Sequence, residues 1–173
     1  MITGESLIVR TLRLGDIAPL FEMMSDLSDP GEFMPVQLYS EQQLMSEFQR
    51  NGCWQNTQGR LLITDLAGQI IGEAGLVCTR HYLDGREMYY RIFSDYRGRG
   101  YATEALALII SFFFNATSMN RIEAVTVVGN NASKNVLLKN GFECEGTLRQ
   151  ARYLHGKRVD LKLFSLLRSD TSY

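Results

Sequence analysis

The sequence predicts a mixed α/β domain, and three observations point to that class. Strand-like and helix-like segments alternate along the chain, the pattern that builds a sheet covered by helices. The 173 residues are 45% hydrophobic, and a chain of that length buries roughly 70% of its unfolded surface, so one sizeable core is within reach. The longest apolar run, Ala105 to Phe114, contains Ser111 and is about half the ~20 residues that a bilayer-spanning helix needs. It belongs in a core.

Leu7 to Leu12 reads as the first strand. Asp16 stands at a helix N-cap position ahead of Ile17, Leu20, Phe21 and Met24, which share one helical face. Asp29-Pro30-Gly31 signals a turn. Ser40 and Gln43 have capping-box spacing before Leu44, Met45 and Phe48. Asn51 to Gly59 is polar and loop-like around Trp54. Arg60 to Leu66 and Gln69 to Thr79 flank Ala67-Gly68 as a hairpin.

Glu87 to Phe93 reads as an aromatic-rich strand. After an Arg/Gly loop, Ala102 to Asn115 is apolar nearly all round, as a buried helix is. Arg121 to Val128 is β-branched and reads as a buried strand. Asn130-Asn131 can cap a short helix that ends at Gly141. Glu143 to Tyr153 and Val159 to Leu167 form the last two strands around His155-Gly156. With no internal repeat and no linker, residues 1–173 read as a single domain.

Charge and cysteines narrow the partners. The 18 Lys+Arg against 19 Asp+Glu speak against a protein that blankets nucleic acid or an anionic membrane. Cys53, Cys78 and Cys144 form no C-x-x-C pair, and with His81 and His155 alone no metal site is expected. Unpaired thiols and an N-terminus without a signal-peptide core point to the cytoplasm.

The most informative stretch is Arg97-Gly98-Arg99-Gly100-Tyr101-Ala102-Thr103-Glu104, between a strand and a buried helix. Glycines let successive N–H groups turn inward, and a helix N-terminus is a ready phosphate site. Arg97 and Arg99 add charge and Thr103 a hydroxyl. The stretch lacks the Lys-Ser/Thr ending of a Walker loop and the third glycine of a dinucleotide fingerprint. A plain tight turn with solvated arginines is the competing reading. An Arg/Gly contact to RNA is disfavoured in so neutral a chain.

A second element, Asn130-x-x-Ser133-x-x-x-x-x-Lys139-x-Gly141-Phe142, follows the next strand. Together with Arg97, Gly100 and Ala102, which match Arg/Gln-x-x-Gly-x-Gly/Ala, it resembles the acetyl-CoA signature of the Gcn5-related N-acetyltransferase (GNAT) superfamily. Tyr101 to Ala105, Arg121 to Ala124, Gly141-Phe142-x-x-Glu145-Gly146 and Leu148-Arg149 are similar to the branch typified by the ribosomal-protein acetyltransferases RimJ and RimL. The resemblance is strongest from Leu62 to Leu167. It implies a mixed, mostly antiparallel twisted sheet of about seven strands with about four helices and a cofactor wedge between two central strands.

The resemblance also implies an acetyl-CoA-dependent N-acetyltransferase with a primary amine as acceptor, and no metal. Pantetheine would lie along Arg91-Ile92-Phe93, and the pyrophosphate on the amides of Arg97, Gly98, Arg99, Gly100, Tyr101, Ala102 and Thr103. Asn130 matches the asparagine that contacts the cofactor, and Lys139 lies near the distal end. A helix cap and a solvated surface lysine are their ordinary alternatives. Glu87 is the first choice for general base, competing with a structural ion pair, and Glu73 is the second; His81 reads as solvent-exposed.

Where many relatives carry a tyrosine seven residues after the asparagine, this chain has Leu137; the resemblance to the RimJ/RimL branch offers Ser133 as the candidate acid instead, with an ordinary residue of the first helical turn as the alternative. Cys144 reads as a core thiol. Asp26 to Tyr39, the Trp54 loop and Tyr153 to Arg158 are expected to shape the acceptor pocket. Met23, Met24, Met34 and Met45 would line it, or belong to the core; Asp29 and Glu32 would hold a polyamine's second ammonium, or be solvated. Protein N-termini, aminoacyl compounds, polyamines, aminoglycosides and a silent CoA-binding module all stay open. The open sheet edges allow a homodimer.

Overall fold

The computed structural model describes residues 1–80 and 83–171, so His81 lies outside the described residues. Nine strands form one sheet there: β1 (Ile2–Thr3), β2 (Leu7–Arg10), β3 (Trp54–Gln55), β4 (Gln58–Asp65), β5 (Ile70–Val77), β6 (Gly85–Ile92), β7 (Arg121–Val127), β8 (Glu143–Leu154) and β9 (Lys157–Leu167). Their order is β1-β2-β4-β5-β6-β7-β9-β8, with β3 on β4. Four α-helices complete the fold: α1 (Ile17–Ser25), α2 (Glu41–Asn51), α3 (Tyr101–Ala116) and α4 (Asn131–Lys139).

The two strands beyond the expected seven, β1 and β3, are two residues long, too short to show a period. The polar stretch around Trp54 is thus a hairpin and not a loop. Asn56 and Thr57 turn it at φ 52° and 58°, the mirror-image turn whose twist suits a strand pair.

Side-chain alternation divides the core between the two faces of the sheet. On one face Leu7, Val9, Leu61, Ile63, Ala74, Leu76, Met88, Ile122, Ala124 and Phe164 pack under α3 and α4. On the other, Leu62 and Ile70 meet Leu12, Ile17, Leu20, Met24 and Leu44 of the α1–α2 layer. The stripe of α3 that docks is Ala105, Leu106, Ile109, Ile110, Phe113 and Phe114, while Ala107 is exposed. Burial is therefore one-sided, and not all round as the composition suggests.

The caps follow the sequence with one exception. Ser40 Oγ accepts from Gln43 N at 3.4 Å and Asn130 Oδ1 from Ser133 N at 3.1 Å. Helix α4 ends with Gly141 N donating to Leu138 O and Phe142 N to Leu137 O, both at 3.1 Å, which satisfies its last carbonyls. Asp16 does not cap α1: it accepts from Arg10 at 2.6 and 2.8 Å and from Arg13 N at 2.6 Å. Cys144 is exposed on edge strand β8, which overturns its placement in the core. The core thiol is Cys53, pushed up to about 11 by burial.

Candidate active site

All strand pairs are antiparallel except β6 and β7. These two pair in parallel over three steps only, Gly85 with Arg121, Arg86 with Ile122 and Glu87 with Glu123. Strand β6 stays on β5 as far as Ile92, and β7 stays on β9 as far as Val127. From Met88 onward the two strands therefore part, and the β7-facing edge of β6 carries unpaired backbone. At roughly 3.3 Å per residue, Met88 to Ile92 offers about 13 Å of strand edge. This is the wedge.

At its wide end the chain turns into α3. Gly98 and Gly100 sit at φ 75° and 83°, where a side chain is strained. A Cβ on either would meet nothing within 4 Å, so both face open space. Thr103 N and Glu104 N donate to Gly100 O at 3.0 and 3.2 Å. Among the described residues no protein acceptor lies in range of the N–H groups of Gly98, Arg99, Gly100, Tyr101 and Ala102. Unpaired donors at a helix N-terminus over an open hollow fit a pyrophosphate. Asn140 Nδ2 donates to Thr103 O at 3.3 Å, which places the C-terminal end of α4, with exposed Lys139, beside this cradle.

The arginines near the cradle are already engaged. Arg97 donates from Nε to Ile92 O at 2.8 Å and from Nη2 to Asp29 O at 2.7 Å. Arg91 donates to Asp29 Oδ2 from Nε at 2.9 Å and Nη2 at 2.5 Å, and Ser94 N reaches Asp29 Oδ1. Arg99 lies over the Tyr96 ring, its Cζ 5.8 Å from the centroid, and donates to Asp95 O at 3.0 Å. Arg91, Ile92 and Phe93 have buried side chains, so only their main chain can meet a cofactor. Of that, Ile92 O is held by Arg97 and Phe93 N by Ile71 O at 3.1 Å.

Glu87 stands at the apex of the wedge, the last residue of β6 that pairs with β7, on the α1–α2 face. A pocket of about 10 Å³ beside it is lined by Thr79, Arg80, Leu83, Gly85, Arg86, Arg121 and Glu123. Burial pushes the Glu87 carboxyl above the usual range and the charge of Glu123 adds to the rise, against Thr79, Arg80 and Arg152. Glu123 is paired with Arg80 at 2.9 Å and Arg121 at 2.8 Å. Glu73 is buried and tied to Arg60, so its carboxylate holds a structural cation. Of the two candidate bases, Glu87 is the one without an ion-pair partner among the described residues.

Ser133 lies across the wedge on the α3–α4 face, in the first turn of α4. Its Oγ is 2.8 Å from the Tyr90 hydroxyl, which also lies 3.1 Å from Ser133 O. Leu137, where many relatives carry a phenol, is fully buried in the core. The phenol of this site instead comes from β6. Sequence reasoning missed it; the signal was the alternation of β6, which sends Met88 and Tyr90 to one face and Glu87 and Tyr89 to the other.

Two of the three segments expected around the acceptor do meet. Phe33 packs on Val127, Leu154 and Leu161, so the segment 26–40 touches the β7–β9 wall while Asp29 grips the β6 wall. Trp54 departs from the expectation: its ring packs 6.4 Å from Phe112 of α3, on the opposite face. Met24 is core, and Met23 and Met45 pack against it. Asp29 is buried between arginines and is not available to an ammonium. A cleft of about 290 Å³ opens beside it, lined by Glu22, Met23, Asp26, Asp29 and the run Phe93 to Tyr96.

A split parallel pair ending in an amide cradle is an arrangement that can hold a phosphate-bearing ligand along a strand edge. The chain belongs to the acetyltransferase (GNAT) domain family, whose profile matches residues 6–143. It is 33% identical over 100 residues, 58% of this chain and 56% of the other, to the uncharacterized N-acetyltransferase YoaA of Bacillus subtilis (strain 168). Its matches span about half to three-fifths of the length of such curated relatives. Among solved structures it resembles the spermidine N-acetyltransferase of Vibrio cholerae, in complex with CoA and spermine, with a TM-score of 0.83 at 20% identity over 95% of this chain and 96% of that one. It also resembles the ribosomal-protein-S5-alanine acetyltransferase of Vibrio fischeri, with a TM-score of 0.79 at 25% identity over 97% and 96%. No described helix is long and apolar enough to cross a membrane.

Proposed function

We propose that the protein is an acetyl-CoA-dependent N-acetyltransferase that acts on a primary amine, with the α-amine of a protein N-terminus as the favoured acceptor. The observation that carries this is the wedge, which separates a carboxylate with a raised pKa from a hydroxyl pair. A thioester lying in the wedge would face Glu87 on the acceptor side and Ser133 on the other. The attacking amine must be neutral, and an α-amine, with a pKa near 8, is closer to that state than an alkylammonium near 10.4. Glu87 takes its proton, directly or through water. Backbone N–H on the unpaired edge of β6 is the available donor for the oxyanion. The C–N bond forms, the C–S bond breaks, and the electron pair passes to sulfur.

The preference for an α-amine rests on two points. Asp29, the acid best placed in sequence for a second ammonium, is consumed by Arg91 and Arg97. The full-length likeness to the ribosomal-protein-S5-alanine acetyltransferase is at 25% identity, against 20% for the spermidine enzyme. One observation favours a polyamine: Glu22, Asp26 and Asp95 share the larger cleft. Thiol release from acetyl-CoA, compared over N-terminal peptides, aminoacyl compounds, polyamines and aminoglycosides, tests the proposal. Fastest turnover of peptides is expected. Polyamine preference would move the acceptor to the cleft, and silence across the panel with tight CoA binding would leave a binding module.

A further inference from the structure

Ser133 does not stand alone. Its Oγ is 2.8 Å from the hydroxyl of Tyr90, a residue 43 positions earlier on the strand that opens the wedge. Serine near a helix N-terminus ordinarily turns its proton to a nearby backbone carbonyl, where it does nothing for a leaving group. A second hydroxyl that donates into Oγ leaves the serine one proton and a reason to point it away. The phenol has one proton and two acceptors on Ser133, the carbonyl oxygen at 3.1 Å and Oγ at 2.8 Å. The geometry points to Tyr90 as the positioning residue of the leaving-group side: its proton goes to the nearer acceptor, Oγ, and Ser133 presents its own proton to the departing sulfur. This rests on the reading of Ser133 given above.

The chemistry fits the pair better than either hydroxyl alone. Burial pushes the Tyr90 phenol up to about 12, so it keeps its proton throughout the neutral range. A thiol with a pKa near 8.5 leaves as thiolate and does not take the phenol's proton outright. As the C–S bond breaks, the electron pair goes to sulfur and both hydroxyls keep their protons. Two hydrogen bonds in series polarise one another, so the chain from Tyr90 through Ser133 to sulfur is stronger than a single bond. The thiolate then collects its proton from water.

Coenzyme A itself is the probe, because its free thiol can be titrated on the enzyme by the ultraviolet absorbance of the thiolate, with no acceptor present. In the wild-type protein the bound thiol should titrate below its free value. Tyr90→Phe keeps the ring and should raise that titration by about one unit, equivalent to a roughly tenfold loss of thiolate stabilisation. Ser133→Ala should raise it at least as far, and the double variant no further than Ser133→Ala. Packing loss alone would weaken CoA binding and leave the titration in place. A shift with Ser133→Ala and none with Tyr90→Phe would overturn the role of Tyr90 while the serine's stands. Strictly additive shifts would also overturn the relay, and no shift in either variant, or no CoA binding, would remove both.

Discussion

Arg97 and Asp29 are joined twice: one guanidinium nitrogen of Arg97 donates to the Asp29 carbonyl oxygen at 2.7 Å and lies 3.1 Å from its carboxylate. Arg97, the first arginine of the Arg/Gly loop, therefore fastens the segment 26–40 to the end of β6. That segment closes on the other wall of the wedge through Phe33. One stretch of chain thus ties the two splayed strands together on the acceptor face. Arg91 shares the same carboxylate with only 5% of its side chain exposed, so Asp29 is the counter-charge of a buried cation.

Asp29→Asn should be costly for that reason. Removing one partner of a buried ion pair leaves the other charge uncompensated, at about 3–5 kcal/mol. At roughly 2–4 °C per kcal/mol for a domain of this size, melting should fall by about 10 °C. The cradle should loosen with it. Calorimetric titration with CoA is expected to show weaker binding than in the wild type, and an unchanged melting temperature would contradict the placement of Asp29.

Glu87→Gln should move activity and stability in opposite directions. The proposed base is lost, so turnover should drop by ~10²–10⁴-fold, and the acidic limb of the rate profile should vanish. The folded protein holds the Glu87 proton more tightly than the unfolded chain does. This residue's contribution is therefore most favourable below the ordinary value of 4.5 and declines as pH rises toward the raised folded pKa. The variant should melt higher than wild type near pH 7, by a margin that shrinks toward pH 4. Melting curves across that range check the sign.

Gly100→Ala separates the cradle from the core. A non-glycine residue in the left-handed region costs about 1–2 kcal/mol, and its Cβ would stand in the open hollow. The loss of stability should be small, a melting shift of about 2–8 °C. Affinity for CoA should fall at least tenfold, because the methyl group and a displaced N–H both oppose the pyrophosphate. Equal CoA affinity in variant and wild type would take the pyrophosphate off these amides.

The loop, the buried helix and the strands after Arg60 were legible because each is encoded locally. Glycines at fixed spacing, a helical run between caps and alternation in β-branched segments need no distant partner. The decisive features of the site depend on distant contacts. Where β6 leaves β7 is set by which strands β5 and β9 hold. Asp29 meets Arg91 across 62 residues of sequence and Tyr90 meets Ser133 across 43. A lone aspartate beside Pro30 reads as a turn, and a tyrosine in an aromatic strand reads as core, until the topology supplies their partners. Glu73 and Glu87 looked alike as strand carboxylates; the ion pair with Arg60 and a place on β5 set Glu73 apart from Glu87 at the wedge.

Glu145 gives the last expectation, at acid pH. It takes both terminal nitrogens of Arg121, at 2.8 and 2.5 Å, and the Ser165 hydroxyl at 2.7 Å, which bolts edge strand β8 to β7 and β9. The Arg121 bond, with help from Ser165, holds its carboxyl down to about 2. A depressed carboxyl stabilises the fold above its unfolded pKa, and that support is lost as pH falls toward the folded one. The window here runs from about 4.5 down to about 2. With 39% of the Glu145 side chain exposed, solvent screens the pair and the effect should be modest. Glu145→Gln should leave melting near pH 7 slightly lower and flatten its decline between those two values, and 1 M salt should narrow the difference between variant and wild type at neutral pH. A variant whose melting falls with acid as steeply as the wild type's would show that the bolt on β8 is held by its backbone ladder with β9 and not by this carboxylate.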